Sequence, residues 1–361
     1  MTLDVLVDGR GLDGWSGQRG IGSYVRNLLT YLAADPRVQT RALAGVDTAL
    51  PHGVERVLMN RRAPGRFAAL EHELRLPREL RRHAHGVFHS PAPEPPSRCA
   101  VPWAQTLFDV IPLALPDAVP ASTLRRFRRR ASLYRGADAV IAISRHSADE
   151  GIRLLDLDPR RLHVVPLGVD PAFRPGAAER RDEPPYLLIV ASFEKRKRLE
   201  HAFEVIGRLA DAGYPHHLRV AGAIAPFVEP ALRAAVQDAR RPDRIDLLGH
   251  VEDLPELYRG AAVVLHPSSY EGFGLPLAEA MASGVPVVAY RNSSVPEVLG
   301  DAGVLVDDGA VDELTDATRR VLDDGGWRDE LIQAGLARAR HMRWEDCARG
   351  HVEVFLAISE R

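Results

Sequence analysis

Residues 262–284 read AVVLHPSSYEGFGLPLAEAMASG, and the order of residue types there decides the fold. An apolar run of strand length ends at His266-Pro267. A loop follows with Glu271 and the tripeptide Gly272-Phe273-Gly274, and Leu275-Pro276 then opens a helix at positions where proline is tolerated, because its missing N–H has no helical partner to lose. Gly284 sits where a helix closes on a left-handed residue. A glycine-flanked turn that feeds a helix aims main-chain N–H groups and the positive end of the helix dipole at one point, which suits an anion. The two glycines let a diphosphate approach the main chain. Glu271 at the loop entrance and Glu279, expected in the first helical turn, flank that point. Carboxylates there repel phosphate but accept hydrogen bonds from sugar hydroxyls. A sugar joined to a diphosphate satisfies both halves.

The same alternation of apolar run and amphipathic stretch recurs on either side, the pattern of parallel strands joined by crossover helices. Strands are expected at Asp4–Val7, Ala139–Ile143, Tyr186–Ala191, Leu218–Ala221, Ile245–Leu248, Ala262–His266 and Val285–Ala289, apolar throughout because both faces are buried. Helices are expected at Gly22–Ala33, Thr123–Arg135, Leu199–Ala212, Ala231–Ala239, Glu313–Asp323 and Trp327–Ala339. The stretch DPAFRPGAAERRDEPP, residues 170–185, holds four prolines and mixed charge, a composition that sustains neither helix nor strand. It reads as an interdomain linker. The expected division is an N-terminal domain over 1–172, a linker over 173–185, a C-terminal domain over 186–343 and a last helix over 344–361 that packs back on the first domain. The 361 residues suit two domains, each of roughly 150–200 residues.

Composition excludes several classes. A hydrophobic fraction of 45% with 27% charged residues is that of a globular protein. Lys plus Arg at 47 nearly balances Asp plus Glu at 49, so no global field draws the chain to nucleic acid. Cys99 and Cys347 fit no metal or redox spacing and read as thiols of a reducing compartment. The opening MTLDVLVDGRG reads as a first strand and not a signal peptide, and no apolar run reaches membrane-spanning length. A cytoplasmic protein is expected. Two arginine-rich stretches, LRLPRELRR and LRRFRRR, leave open contact with an anionic membrane at the inner face.

SYEGFGLPLAEAMASGVPVVA closely resembles the signature of the family-4 retaining glycosyltransferases, whose two glutamates lie eight positions apart. Further segments resemble that family in order along the chain: LVDGRG and RGIGSYVRNLL, VFHSP, TLFDVIPL, ADAVIAISRHSADE, VVPLGVD, ASFEKRKRLEHAFEVI, LLGHVEDLPELYRGA and SSVPEVLGDAGVLVD. The resemblance implies an α/β fold of the GT-B type, with two Rossmann-like doubly wound domains facing each other across a cleft. It implies retaining transfer of a hexosyl group, mannosyl favoured, from a nucleoside-diphosphate sugar to a hydroxyl acceptor. Glu271 would contact the donor sugar and Glu279 the ribose, while the main chain of Gly272, Phe273, Gly274 and Leu275 cradles the diphosphate. Arg196 and Lys197 match the family's basic pair on the diphosphate. Gly20 and Gly22 match a loop of the N-terminal domain, and Gly249 and Val251 a strand end beside the base.

Two positions depart from that pattern. Phe108-Asp109 stands where many relatives have His-Asp, which leaves Asp109 alone to act there. Ser192 stands where many carry arginine, which shifts weight to Arg196 and Lys197. No cofactor or metal is expected, since cationic side chains and the helix dipole supply the positive charge. The partners expected are the nucleotide sugar and a saccharide, lipid-linked or small-molecule acceptor, held by loops such as 60–82 and 91–101. A nucleotide-sugar epimerase or sugar phosphorylase of the same fold, and a non-catalytic nucleotide-sugar sensor, are the alternative readings.

Overall fold

A computed structural model describes residues 2–13, 20–59, 68–92, 95–176, 184–222 and 228–360, with the main chain alone for 68–74. Parts of the expected linker (177–183) and of the expected acceptor loops (60–67 and 93–94) lie outside the described residues. The chain divides into two compact units, one comprising the residues up to Gly168 together with those from Arg343 onward, the other Val169–Met342.

The first unit is built on a seven-stranded sheet in the order β3-β2-β1-β4-β5-β6-β7. Its strands are β1 (Leu3–Asp8), β2 (Val38–Ala44), β3 (Glu55–Leu58), β4 (Val87–Ser90), β5 (Trp103–Leu107), β6 (Ala139–Ala142) and β7 (Leu162–Val164), and every pairing is parallel. The helices of this unit are α1 (Gly20–Ala33), α2 (Ala68–His83), the single turn α3 (Ile111–Ala114), α4 (Ala121–Tyr134), α5 (Arg145–Leu155) and the last helix of the chain, Trp344–Ser359. Gly20 and Gly22 therefore lie in the first turn of α1 and not in a loop, and residues 68–82 of the expected acceptor loop are helical. Ser144 caps α5, its Oγ accepting from the Ser147 N–H at 2.9 Å.

The second unit repeats the design with six parallel strands in the order β10-β9-β8-β11-β12-β13. They are β8 (Tyr186–Val190), β9 (His217–Ala221), β10 (Ile245–Gly249), β11 (Val263–His266), β12 (Val287–Tyr290) and β13 (Val304–Val306). Helices α6 (Leu199–Asp211), α7 (Glu229–Gln237), α8 (Leu254–Arg259), α9 (Leu275–Ala282), α10 (Val295–Leu299), α11 (Val311–Asp323) and α12 (Gly325–Ala339) connect them; the chain's last helix is α13. A core of Leu187, Ile189, Phe203, Ile206, Leu265 and Tyr290, among others, fills the space between sheet and helices. In both sheets the first strand is central and the chain crosses to its other side after the third. That reversal leaves a crevice at the carboxyl ends of two adjacent strands, where doubly wound sheets bind ligands. In the second unit those strands are β8 and β11.

Candidate active site

The loops leaving β8 and β11 carry the charged residues singled out in the sequence. Lys195–Lys197 forms a single 3-10 turn, closed by Arg198 in the left-handed region (φ 45°) ahead of α6. The turn points Arg196 and Lys197 inward: Lys197 is 6% exposed, and neither side chain is a solvated surface group. Lys197 Nζ lies 2.5 Å from Glu271 Oε1, and Arg196 Nη1 lies 3.2 Å from Glu271 Oε2. Arg196 Nη1 also donates to the Tyr270 carbonyl at 2.9 Å, and the Ser269 N–H donates to the Arg196 carbonyl at 2.7 Å. The β8 and β11 loops are thus fastened to each other by main chain and side chain together.

A third element holds the loop from its other side. After β12, Ser293 takes a left-handed conformation (φ 45°) that costs a residue with a side chain about 1 kcal/mol or more, and its Oγ accepts the Glu271 N–H at 2.8 Å. Ser294 Oγ donates to the carbonyls of Glu271 and Phe273, at 3.0 and 2.9 Å, and Asn292 Nδ2 donates to the Ser268 carbonyl at 2.9 Å. Four carbonyls of the loop therefore accept from neighbouring elements, while the first N–H groups of α9 have no acceptor within their own helix. Gly274, at φ 98°, makes the turn into α9, and Gly284, at φ 74°, leaves it. A Cβ at Gly274 would sit 3.0 Å from Leu277 Cδ1. Gly274→Ala is accordingly expected to cost about 1 kcal/mol and to weaken anion binding at this turn, which urea unfolding and nucleotide titration of the same variant would check.

Burial alone would raise the Glu271 carboxyl, but the Lys197 ammonium beside it holds it well below the usual carboxylate range. His266, at the end of β11, is buried, and its Nε2 approaches Oε1 to 3.0 Å without the alignment of a hydrogen bond. Desolvation lowers its pKa and keeps the imidazole neutral. The centre of the site is one ionised carboxylate held by two cations, with a neutral histidine beside it.

Glu279 is placed differently from the sequence expectation. Because α9 starts at Leu275, Glu279 is its fifth residue, and the first turn contains no acid. Its Oε2 accepts from the Tyr258 hydroxyl of α8 at 2.9 Å. Desolvation raises its pKa to about 7 against that hydrogen bond, helped by the charge of Asp170. Gly249 ends β10 at φ 67°, with its carbonyl accepting the Gly222 N–H at 2.8 Å, and Val251 follows in the next loop. Ser192 Oγ donates to Glu194 at 2.9 Å. Gly20, Gly22 and Asp109 belong to the first unit. There Asp109 Oδ1 accepts the Ile111 N–H at 3.0 Å, beside a cavity walled by Phe108 and α4.

Two family patterns match consecutive parts of this chain: residues 18–173 match Glycosyltransferase Family 4 and residues 174–338 match Glycosyl transferases group 1. The O-antigen chain mannosyltransferase B of Escherichia coli is 30% identical over 294 residues, covering 76% of this chain and 75% of that protein. The chain belongs to the family-4 glycosyltransferases. Solved structures share its fold at lower identity. A sucrose-phosphate synthase from Thermosynechococcus elongatus superposes with a TM-score of 0.82 at 19% identity, covering 99% of each chain. Anabaena HepE, solved in complex with UDP-glucose, gives 0.75 at 17%, covering 99% of this chain and all of that one. The two parallel-sheet units are those of the GT-B fold.

Three contributors to this glycosyltransferase's site escaped the sequence reading: His266, Tyr258 and the Asn292-Ser293-Ser294 turn. His266 stands in the quoted strand and was read only as its end. The polar run at 292–294 was the sole hint of the turn, and it becomes meaningful once β12 is known to lie beside β11.

Proposed function

We propose that this glycosyltransferase moves a hexosyl group, mannosyl by preference, from a nucleoside-diphosphate sugar to a hydroxyl acceptor with retention of configuration. The observation that carries the proposal is the buried Glu271 carboxylate, pinned by Arg196 and Lys197 beside the open N-terminus of α9. A diphosphate arriving at the main chain of Gly272, Phe273, Gly274 and Leu275 would share both cations. Glu271 could then accept from the donor sugar's hydroxyls. The cations and the helix dipole would stabilise the leaving nucleotide as its charge develops, and no cofactor or metal is needed in this scheme. Glu279 would accept from the ribose, and Gly249 and Val251 would flank the base. On the acceptor side stand Gly20, Gly22 and Asp109. The E. coli relative's name, an O-antigen chain mannosyltransferase, supports a saccharide acceptor and a mannosyl donor. None of the described helices is long and apolar enough to cross a membrane, and we place the enzyme in the cytoplasm, with its arginine-rich surface available to an anionic membrane.

Thermal unfolding of the full chain with GDP, UDP, dTDP and ADP tests the donor site. A nucleotide at a hundredfold excess over its dissociation constant should stabilise by about 2.7 kcal/mol, and Glu279→Ala should shrink that gain. The proposal fails if none of the four, alone or as its sugar conjugate, shifts the transition. With its pKa near 7, Glu279 also sets a pH dependence. A ribose hydroxyl bound to the ionised carboxylate makes the nucleotide bind more tightly as pH rises through neutrality. Calorimetric titrations across that range should show the rise in wild type and a flatter profile in Glu279→Gln. The same slope in both proteins would remove Glu279 from the ribose.

A further inference from the structure

Ser293 stands at φ 45°, a conformation that glycine adopts without steric cost and serine does not. An outlier of this kind beside a candidate site points to a use for the side chain that glycine lacks. The use is visible in its bonds. Ser293 Oγ accepts the Glu271 N–H at 2.8 Å and donates its own proton to Asn292 Oδ1 at 2.9 Å. Asn292 Nδ2 then gives one proton to the Ser268 carbonyl and the other to Asp308 Oδ1, at 2.9 and 2.7 Å. Two acceptors on one side of the amide fix which end carries the nitrogen. The Glu271 N–H, the Ser293 hydroxyl and the Asn292 amide thus donate in one direction, in a chain that ends on a carboxylate. Such a chain is cooperative, because each bond polarises the next. Arg198 holds its far end, with Nη1 and Nη2 at 2.7 and 3.3 Å from the two oxygens of Asp308. Arg198 also closes the turn that presents Lys197, so Asp308 braces the loops after β8 and β12 at once.

The cations and this chain hold different parts of Glu271. Arg196 and Lys197 hold its carboxylate, whereas Ser293 on the N–H and Ser294 on the carbonyl hold its main chain. In the donor-site reading above, the diphosphate takes a share of both cations, so the grip on the carboxylate weakens when the donor binds. The grip on the main chain does not involve them. We propose that Ser293 is a positioning residue, which through the chain to Asp308 keeps Glu271 in register with the donor sugar while the cations turn to the diphosphate. The inference rests on the reading of Glu271 as the contact of that sugar. It separates two affinities. The nucleoside diphosphate is bound by the cations and the N-terminus of α9, and only its sugar depends on Ser293.

The test uses the full chain as wild type, Ser293→Ala, Ser293→Gly and Asp308→Asn. Each is titrated calorimetrically with GDP and GDP-mannose, UDP and UDP-glucose, ADP and ADP-glucose, and dTDP and dTDP-glucose. Hydrogen exchange of the Glu271 amide is followed in the ligand-free proteins. In wild type the conjugate of the nucleotide that binds should exceed that nucleotide in affinity by about tenfold, the gain of one charge-assisted hydrogen bond. Both Ser293 variants should lose most of that gain and keep the affinity for the nucleotide itself. Their Glu271 amide should exchange about tenfold faster, the protection of one hydrogen bond being removed. Asp308→Asn should move both readouts the same way by less, although two residues separate it from the Glu271 N–H. Ser293→Gly relieves the left-handed strain that Ser293→Ala retains, so its urea midpoint should be the higher of the two while its sugar affinity is not. Recovery of sugar affinity in Ser293→Gly would tie the loss to stability and overturn the proposal. So would an unchanged Glu271 amide in Ser293→Ala, or an equal loss of affinity for nucleotide and conjugate. Should Ser293→Ala fail to fold, Ser293→Gly and Asp308→Asn carry the same two readouts. If no nucleotide binds wild type, or its conjugate binds no more tightly, the donor-site reading fails, whereas the exchange measurement still shows whether Ser293 and Asp308 hold Glu271.

Discussion

Glu271→Leu is expected to destabilise the second unit by about 3–5 kcal/mol, the usual cost of removing one partner from a buried ion pair. The substitution leaves the Lys197 ammonium, 7% exposed at its side chain, without the carboxylate that justified taking it out of water. Glu194 offers little relief, being half engaged with solvent and already paired with Arg196 Nε at 2.8 Å. Replacing the lysine as well reverses the effect: Glu271→Leu with Lys197→Met should recover most of the loss, because a well-packed apolar pair is often no less stable than a buried ionic one. Urea unfolding of the two single variants and the double variant closes the cycle. A cost below about 1 kcal/mol for Glu271→Leu, in the range of exposed pairs, would mean that water reaches the site and that the carboxylate is not held as described. The ion pair is also where stability and proposed function meet. If the diphosphate is the intended second partner of Lys197, a bound nucleoside diphosphate should stabilise Glu271→Leu more than it stabilises wild type.

This cluster also marks how far the sequence could be read. The apolar runs at 186–190, 263–266 and 287–290 were legible because strands buried on both faces need nothing polar. The strands β2 and β5 were not. β2 contains Arg41, buried because its Nε donates to Asp4 at 2.6 Å on the neighbouring strand. β5 contains Gln105 and Thr106, and Thr106 bonds to His89 and Tyr24. Arg41 and Thr106 are tolerated through partners 17 to 82 positions away, and a local window cannot see such a partner. The site divides in the same way. The glycine turn and its helix are local features and were visible, whereas the pairing of Glu271 with Lys197 joins residues 74 positions apart. Only the reversal of strand order, which sets β11 beside β8, brings them together. The misplacement of Glu279 came from the count and not from a boundary. Leu275-Pro276 was read as the helix start, and the left-handed Gly274 does start it at Leu275, which makes Glu279 the fifth residue, one place past the first turn.

Acidification is expected to weaken the first unit well before its carboxylates protonate, through a buried chain of hydrogen bonds that ties α13 to the sheet. His351 Nδ1 lies 2.8 Å from the Cys347 carbonyl and must donate to it, which makes Nε2 the acceptor for the Tyr24 hydroxyl at 2.7 Å. Tyr24 can then accept from Thr106 Oγ1 at 3.0 Å, and Thr106 in turn from His89 Nε2 at 2.8 Å. Both histidines are fully buried, with ring centroids 5.3 Å apart. Desolvation lowers His351 to about 4 and His89 well below its ordinary value. A histidine whose folded pKa lies below its unfolded value of about 6.5 stabilises the fold fully above that pH, and the contribution is withdrawn as pH falls toward the folded value. For His351 the interval corresponds to about 3 kcal/mol, most of it lost between about pH 6.5 and pH 4. His89 adds to the slope over the same window. Protonation of His351 Nε2 also removes the acceptor for Tyr24, so the link between α1 and α13 breaks at the same step. Urea unfolding at intervals from about pH 7 down to about pH 4.5 should show wild type losing stability steeply. His351→Gln should start lower, for want of the Tyr24 bond, and decline more gently. Parallel declines in the two proteins would show that His351 is already solvated in the native state, and the acid sensitivity would then have to be sought among the carboxylates.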